Sequence, residues 1–357
     1  MKILVLTKYG DLGPSSRVRF YQYIPFLEKR GAVIDVSPLL DNAYVKALYS
    51  REKFGLPNLL KAYWRRLRVM RTSRQYDLVW IENECLPFFP FLLEKCLYKK
   101  HGGTVVNYDD AIFHRYDLHP NAIVKSVLGQ KIDRVMSASS AVIAGNRYLA
   151  NRASRAQARQ IEVLPSVIDL DSYPMQETRS KTDGKLIIGW IGTPNTARFL
   201  SRIHQPLTEA SRSQPVELHL MGLSEYTLKG VQVQCVPWTE SGESKFLAHI
   251  DVGIMPLDDG PFERGKCGYK LIQYFASSKP VIASPVGVNK QLVSPENGFL
   301  AETRDDWLHA FRQIHRLKTE GRLSELGVQG RKMIERHYSI QSTVDKLWKI
   351  LQNARSQ

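Results

Sequence analysis

The chain has 357 residues and a formal net charge of +15, with 43% hydrophobic and 24% charged residues. Composition and length exclude a disordered chain and allow two domains of ordinary size, each with its own core. Four cysteines (Cys85, Cys96, Cys235, Cys267) have neither CxxC nor metal-ligand spacing. The N-terminal apolar run is too short for a signal peptide, and the longest apolar stretch, Leu86 to Leu93, holds two prolines. This pattern speaks against a disulfide framework and an integral membrane protein and for the cytoplasm. The charge excess belongs on a folded surface, where it attracts nucleic acid, acidic lipid or anionic substrates.

Lys2 to Thr7 reads as a short strand ending in a turn rich in Gly, Pro and Ser. Residues 17–29 place Phe20, Ile24 and Leu27 at helical spacing, and Val33 to Val36 is a second strand. Strand, helix, strand is the opening of a doubly wound α/β domain. The alternation continues with a strand at 77–81, a helix at 88–98, a strand at 103–107, a helix at 122–136 and a strand at 141–144. A short helix capped by Asn146 and a strand at 161–164 complete this half. Residues 169–185 are polar and aperiodic and read as a linker. Strands then recur at 186–191, 217–221, 231–236, 251–255 and 280–283, with helices near 268–277, 303–316, 321–336 and 341–354. The expected fold class is α/β, two Rossmann-like doubly wound domains at 1–170 and 171–340. Ligands of open parallel sheets lie beyond the carboxyl ends of the strands, so the chemistry is sought in those loops.

The most informative loop is PFERGKCGYKLIQYFASSKPVIASPVGVNKQLV, residues 261–293. Arg264, Lys266 and Lys270 bring positive charge, Gly265 and Gly268 permit close backbone approach, and a helix starts near Tyr269. That combination either binds an anionic diphosphate or is a solvated basic turn. The stretch KLIQYFASSKPVIASPVG resembles the donor-site signature of the retaining GT-B glycosyltransferases of family GT4. SAVIAGNRYLANRA, IEVLPSVIDLDSY, LHLMG, VPW and DVGIMPL resemble further segments of that family in the same order.

The resemblance implies a GT-B fold with two domains facing across a cleft. It implies a nucleotide-sugar donor in the C-terminal domain and an acceptor in the N-terminal one, with a last helix, about 341–357, packed back on the N-terminal domain. It further implies transfer with retention and no resident cofactor or catalytic metal. Residue by residue, Gln273 stands where the family's ribose-binding Glu is usual, and an amide can still bond two hydroxyls. Gly265 occupies the first acidic position, with Glu263 nearby as a carboxylate for the sugar. Gly192, Thr193 and Asn195 replace the usual Arg and Lys after the first C-domain strand, which leaves phosphate neutralisation to Arg264, Lys266 and Lys270. Trp238 lies in a loop near the base, and Gly268 and Tyr269 offer helix-start amides.

In the N-terminal half, Gly13, Ser15 and Ser16 form a first strand-end loop. They either touch the donor, as the resemblance implies, or serve as turn and cap residues. Asp109 aligns with a site position of the family, and Asp110 and Glu82 are further strand-end acids for an acceptor. His114 and His119 read as loop residues. Residues 45–75 hold Lys46, Arg51, Lys53, Lys61, Arg65, Arg66, Arg68, Arg71 and Arg74 against Glu52, a net +8. On a helix, Leu60, Tyr63, Trp64, Leu67 and Met70 share an apolar face, with Lys61, Arg65, Arg66 and Arg68 elsewhere. Such a helix either lies on anionic lipid or packs on the core with a solvated basic back. No nucleic-acid module accompanies the charge.

The resulting expectation is a glycosyltransferase of cell-surface polysaccharide assembly. It would use a UDP-sugar more readily than a GDP-sugar and work on a glycan or lipid-linked acceptor at the inner face of the membrane. The alternatives are a sugar-nucleotide epimerase or hydrolase, and a non-catalytic GT-B scaffold that binds nucleotide or glycan.

Overall fold

The computed structural model describes residues 1–50, 54–98, 102–174 and 184–355. Arg51, Glu52 and Lys53 of the basic segment and residues 175–183 of the expected linker lie outside them. The chain divides into two compact units: Met1–Ser166, Gly265–Cys267 and Thr343–Gln357 form one, and Val167–Arg264 and Gly268–Ser342 the other.

The first unit contains β1 (Lys2–Tyr9), α1 (Pro14–Arg19), α2 (Ile24–Glu28), β2 (Val33–Leu40), α3 (Asn42–Ser50), α4 (Leu56–Thr72) and β3 (Leu78–Glu82). It continues with α5 (Lys95–Tyr98), β4 (Gly103–Tyr108), α6 (His114–Asp117), α7 (Ala122–Leu128), α8 (Lys131–Ala138), β5 (Ala141–Ala144), α9 (Arg147–Arg155) and β6 (Ile161–Val163). The sheet order is β2-β1-β3-β4-β5-β6, and all pairs are parallel. Helices cover both faces of such a sheet, so its central strands are buried at every residue and mostly apolar, with Glu82, Thr104 and Asn107 the polar exceptions in β3 and β4.

Three expected helices are interrupted, each for a local reason. The segment 17–29 breaks at Phe20 and restarts at Ile24, where Pro25 needs no N–H partner. The segment 88–98 reduces to a 3₁₀ turn at Phe91–Leu93 and α5, because Phe88 is left-handed (φ 62°) and Pro90 precedes the turn. The segment 122–136 splits at Gly129 into α7 and α8.

The second unit contains β7 (Leu186–Ile191), α10 (Ser201–Ala210), β8 (Val216–Met221), β9 (Gln232–Val236), α11 (Glu240–His249), β10 (Val252–Met255), α12 (Pro261–Arg264) and α13 (Tyr269–Ala276). β11 (Val281–Ala283), α14 (Asn289–Leu292), β12 (Gly298–Leu300), α15 (Arg304–Thr319) and α16 (Leu323–His337) follow. Its parallel sheet runs β12-β11-β10-β7-β8-β9. This confirms the α/β class with two doubly wound sheets. The final helix, α17 (Ile340–Arg355), belongs to the first unit from Thr343 onward. There Tyr23 Oη and Thr343 Oγ1 are 3.0 Å apart, Arg30 Nε donates to Asp345 at 3.0 Å, and Arg355 pairs with Asp77 at 3.1 Å. A Cβ at Gly103 would collide with the Ala354 carbonyl, which is why glycine opens β4.

The rotation of α4 corrects the reading of the basic segment. Ala62, Arg66 and Met70 face the core, whereas Leu60 (62% exposed) and Trp64 (53%) face outward. Arg66, expected on the basic outer face, is buried and donates from Nη2 to the Thr7 carbonyl in β1. Burial lowers the pKa of its guanidinium. Arg65 and Arg68 stay outside. Arg65 donates to the Pro38 and Leu39 carbonyls and pairs with Asp41 at 3.6 Å, and Arg68 lies over the Trp64 ring at 5.6 Å.

Candidate active site

In the first unit the ends of β3 and β4 bring two carboxylates, Glu82 and Asp109, to the loop that leads from β1 into α1. Gly13 is the N-cap of α1, and a Cβ there would strike the Tyr9 side chain, so the loop closes tightly on β1. Neither Ser15 nor Ser16 caps the helix; each reaches a carboxylate instead. Ser15 Oγ donates to Asp109 Oδ2, and Ser16 Oγ donates to Glu82 Oε2 at 2.6 Å. Glu82 Oε2 also accepts the Lys8 N–H at 2.7 Å, and the Ser16 hydroxyl accepts the Tyr9 N–H at 3.0 Å. Glu82, expected as a strand-end acid for an acceptor, is buried and braces the Gly13–Ser16 loop. Burial, with the nearby Asp109 as the next cause, pushes its pKa up to about 7.

The same strand ends line a cavity of about 10 Å³, room for about one water, with Lys8, Arg66, Glu82, Asn83, Glu84 and Arg115 on its walls. Glu82 Oε1 and Asn83 Oδ1 are buried there with no hydrogen-bond partner among the described residues. Asn83 adopts φ 60°, a left-handed backbone that asparagine tolerates better than most residues.

Residues 265–267 dock onto these strand ends. Asn146 caps α9 through its Oδ1, which accepts the Leu149 N–H at 3.0 Å. Its amide donates to the Gly265 carbonyl at 2.8 Å and the Lys266 carbonyl at 3.2 Å. Cys267 Sγ donates to the Asp109 carbonyl at 3.0 Å. A Cβ at Gly265 would lie 2.5 Å from Ala111 Cβ, so this glycine serves packing on the β4 loop; the sequence had assigned its close approach to a ligand. Lys266 Nζ lies 3.7 Å from Asp110 Oδ1. Burial raises the Asp110 pKa to about 6, and the Lys266 charge acts in the opposite direction.

In the second unit, α13 starts at Gly268, which has φ 67° and no side-chain cap, so the helix start presents backbone amides. Lys270 Nζ lies over the Trp190 ring at 4.4 Å. Arg264 forks onto Asp259 at 2.6 and 3.0 Å, and this bond lowers the Asp259 pKa. Glu263 is buried and receives Arg198 Nη2 at 3.2 Å, so its carboxylate is paired with the segment beyond β7. Gly192 leads to Thr193, whose N–H donates to Thr196 Oγ1 at 3.1 Å, and Asn195 is exposed.

A residue that the sequence reading missed organises the expected nucleotide positions. Glu243, in the first turn of α11, is 6% exposed. Gln273 Nε2 donates to its Oε1 at 2.6 Å and Trp238 Nε1 to its Oε2 at 2.9 Å, and the Tyr173 hydroxyl also donates to Oε1. Three neutral donors thus converge on one buried carboxylate. Gln273, at 3% exposure, has its amide nitrogen committed to Glu243, which leaves its carbonyl oxygen as the acceptor. The only local signal for Glu243 was an acid in a helix's first turn just after Trp238; its partners are remote in sequence. Truncation to Glu243→Ala is expected to destabilise the second unit by about 2 kcal/mol, because it orphans buried donors. Urea unfolding reads the loss, and Glu243→Gln should recover part of it. Among the described residues no group of three or more His, Cys, Asp or Glu could hold a metal, and no helix is long and apolar enough to cross a membrane.

Comparison with known proteins gives the fold a name. Residues 186–318 match the family model of the glycosyl transferases group 1. Sucrose-phosphate synthase from Thermosynechococcus elongatus superposes with a TM-score of 0.71 at 14% identity, over 100% of this chain and 99% of that one. HepE from Anabaena, in complex with UDP and glucose, does so with 0.68 at 16% identity over 99% of both chains. A glycosyltransferase from Rickettsia africae gives 0.69 at 13% identity, over 99% of this chain and 98% of that one. No curated protein sequence matches the chain. The full-length superpositions establish the GT-B fold.

Proposed function

We propose that this chain, a GT-B glycosyltransferase whose second unit carries the group 1 match, transfers a sugar from a nucleotide-sugar to a glycan or lipid-linked acceptor. The observation that carries this reading is the group 1 match at 186–318, which spans the Arg264 turn, α13 and the Glu243–Gln273 network. The complexes of HepE with UDP and glucose and with UDP-glucose support a UDP-sugar as donor.

In this reading the second unit holds the nucleotide. The start of α13 and Lys270 face its diphosphate, with Arg264 exchanging Asp259 for phosphate oxygens. The Gln273 carbonyl and Trp238 serve the nucleoside side, and Gly192, Thr193 and Asn195 line the loop beyond β7. Lys266 supplies charge to the leaving diphosphate, which is the main electrostatic demand of the reaction. Asp109, with Ser15 on its carboxylate, is the first unit's residue for the reacting sugar, and Asp110 stands beside Lys266. The GT4 resemblance supports retention by front-side attack, in which a leaving-group oxygen takes the acceptor proton. The basic outer face of α4 suits an anionic membrane at the cytoplasmic side, in keeping with assembly of a cell-surface polysaccharide.

A panel of UDP- and GDP-sugars, read by thermal shift and by turnover with and without acceptor, tests the proposal. A shift with a uridine nucleotide and acceptor-dependent release of UDP are expected. Release that ignores acceptor would make the protein a hydrolase, and no shift and no turnover across the panel would overturn the enzyme reading.

A further inference from the structure

A groove of about 380 Å³ lies in the first unit between the C-terminal half of α4 and the segment Phe91–Tyr98. Its floor and walls are Leu67, Met70, Leu93 and Cys96, with Arg71 and Arg74 among the residues that line it. That volume lies in the roughly 300–1,000 Å³ range of small-molecule sites. An apolar trough bounded by two guanidiniums is complementary to an amphipath that has a hydrocarbon end and an anionic end.

The surroundings extend the same chemistry. The loop before α5 runs beside α4, held by the Tyr63 hydroxyl on the Pro87 carbonyl at 2.9 Å and by Tyr63 against Phe89 at 5.2 Å. Along it Phe88, Leu92 and Leu93 are 61%, 75% and 52% exposed, and Trp64, next to Tyr63 on α4, is 53% exposed. Large apolar side chains clustered in the open mark an interaction surface on a soluble domain. Residues 54–75 contain Lys61, Arg65, Arg66, Arg68, Arg71 and Arg74 and no acid. Arg71 and Arg74 have no ion pair among the described residues. A soluble polyanion would engage these cations and leave the apolar loop in water. A bilayer with anionic headgroups satisfies both.

We propose that this groove holds one acyl chain of an anionic phospholipid, with Arg71 and Arg74 on its phosphate and Phe88, Leu92 and Leu93 entering the bilayer surface. The proposal deepens the acceptor reading above and rests on it only for the purpose of the docking. Its test contains no sugar nucleotide, so each can fail without the other.

Full-length protein is sedimented with phosphatidylcholine vesicles, with and without phosphatidylglycerol. Binding to the phosphatidylglycerol vesicles alone is expected, with competition by monomeric dihexanoyl phosphatidylglycerol and none by glycerol 3-phosphate. Arg71→Gln with Arg74→Gln should weaken it about tenfold or more. Leu93→Asp and the groove-filling Cys96→Trp should do the same without lowering the unfolding midpoint, since both positions are exposed. Lys61→Gln, a cation of α4 that does not line the groove, should have a smaller effect. Absent binding, equal binding to neutral vesicles, or loss with Lys61→Gln while Leu93→Asp and Cys96→Trp bind normally would each overturn the proposal. The last outcome would also identify a soluble polyanion or a diffuse field as the target of the charge.

Discussion

Lys266→Ala is expected to lower turnover at least tenfold and to leave the fold intact. In group transfer from a nucleotide-sugar the diphosphate departs with its charge. Removing one preorganised donor from a site of that kind costs on the order of 10²–10³ in rate. The turn that presents Lys266 is held by main-chain contacts: Asn146 on the Gly265 and Lys266 carbonyls, and the Cys267 thiol on Asp109. Losing the side chain therefore removes charge rather than the turn. A second readout follows from Asp110. Its pKa of about 6 reflects burial partly offset by Lys266 at 3.7 Å. Without that cation the neutral carboxyl is further favoured, so any acid limb of the pH–rate profile that belongs to Asp110 should move to higher pH. Steady-state kinetics of Lys266→Ala and Lys266→Arg, with the best donor of the panel, check both effects. Near wild-type turnover in the alanine variant would place the diphosphate's partner elsewhere.

The stability of the first unit should fall as pH rises through neutrality, with Glu82 as a principal cause. The folded-state pKa of Glu82 lies near 7 against an ordinary 4.5. Between those values the folded chain binds a proton that the unfolded chain has released. The contribution is fully present below about 4.5 and is lost as pH climbs through about 7. Its size is about 3 kcal/mol. Glu82→Gln removes the titration while its carbonyl can still accept from Lys8 N–H and Ser16. Urea unfolding at pH 5 and pH 8 should show wild type losing about 2 to 3 kcal/mol relative to the variant, most of the full effect. Parallel pH dependences in the two proteins would show that Glu82 ionises freely. Glu94, buried and also raised to about 7, stays in both proteins and cancels from the comparison.

Much of the architecture was legible because parallel sheets covered on both faces write themselves as short apolar runs. KILVLT, DLVWI, GTVVN and AVIA all became neighbouring strands, and the restart at Leu186 became the second sheet. Helix boundaries were less legible where Pro25, Gly129 and the left-handed Phe88 interrupt an otherwise continuous pattern. The strand-end loops could be named, but the partners inside them could not. Ser15 and Ser16 looked like interchangeable caps, yet they reach carboxylates at the ends of two different strands, Asp109 just past β4 and Glu82 closing β3. Glu243 gathers Tyr173, Trp238 and Gln273 from separate elements, and no short-range spacing encodes such a meeting.

The basic segment shows the division most clearly. The charge of +15, its concentration in residues 45–75 and the helical period of α4 are properties of the sequence alone, because composition and local backbone preference determine them. Which side of α4 turns inward was decided in three dimensions. Of the expected apolar face, Met70 is buried and Tyr63 and Leu67 pack partly against the core, while Leu60 and Trp64 are exposed. The buried face is centred on Ala62, Arg66 and Met70, with the Arg66 guanidinium on the Thr7 carbonyl near the end of β1 and Met70 in the core. That choice turns Leu60 and Trp64 outward and leaves a groove beside Arg71 and Arg74. Local periodicity thus determined that there would be a basic amphipathic helix, and its long-range contacts, the packing of Ala62 and Met70 and the Arg66 bond to Thr7, decided which face it shows.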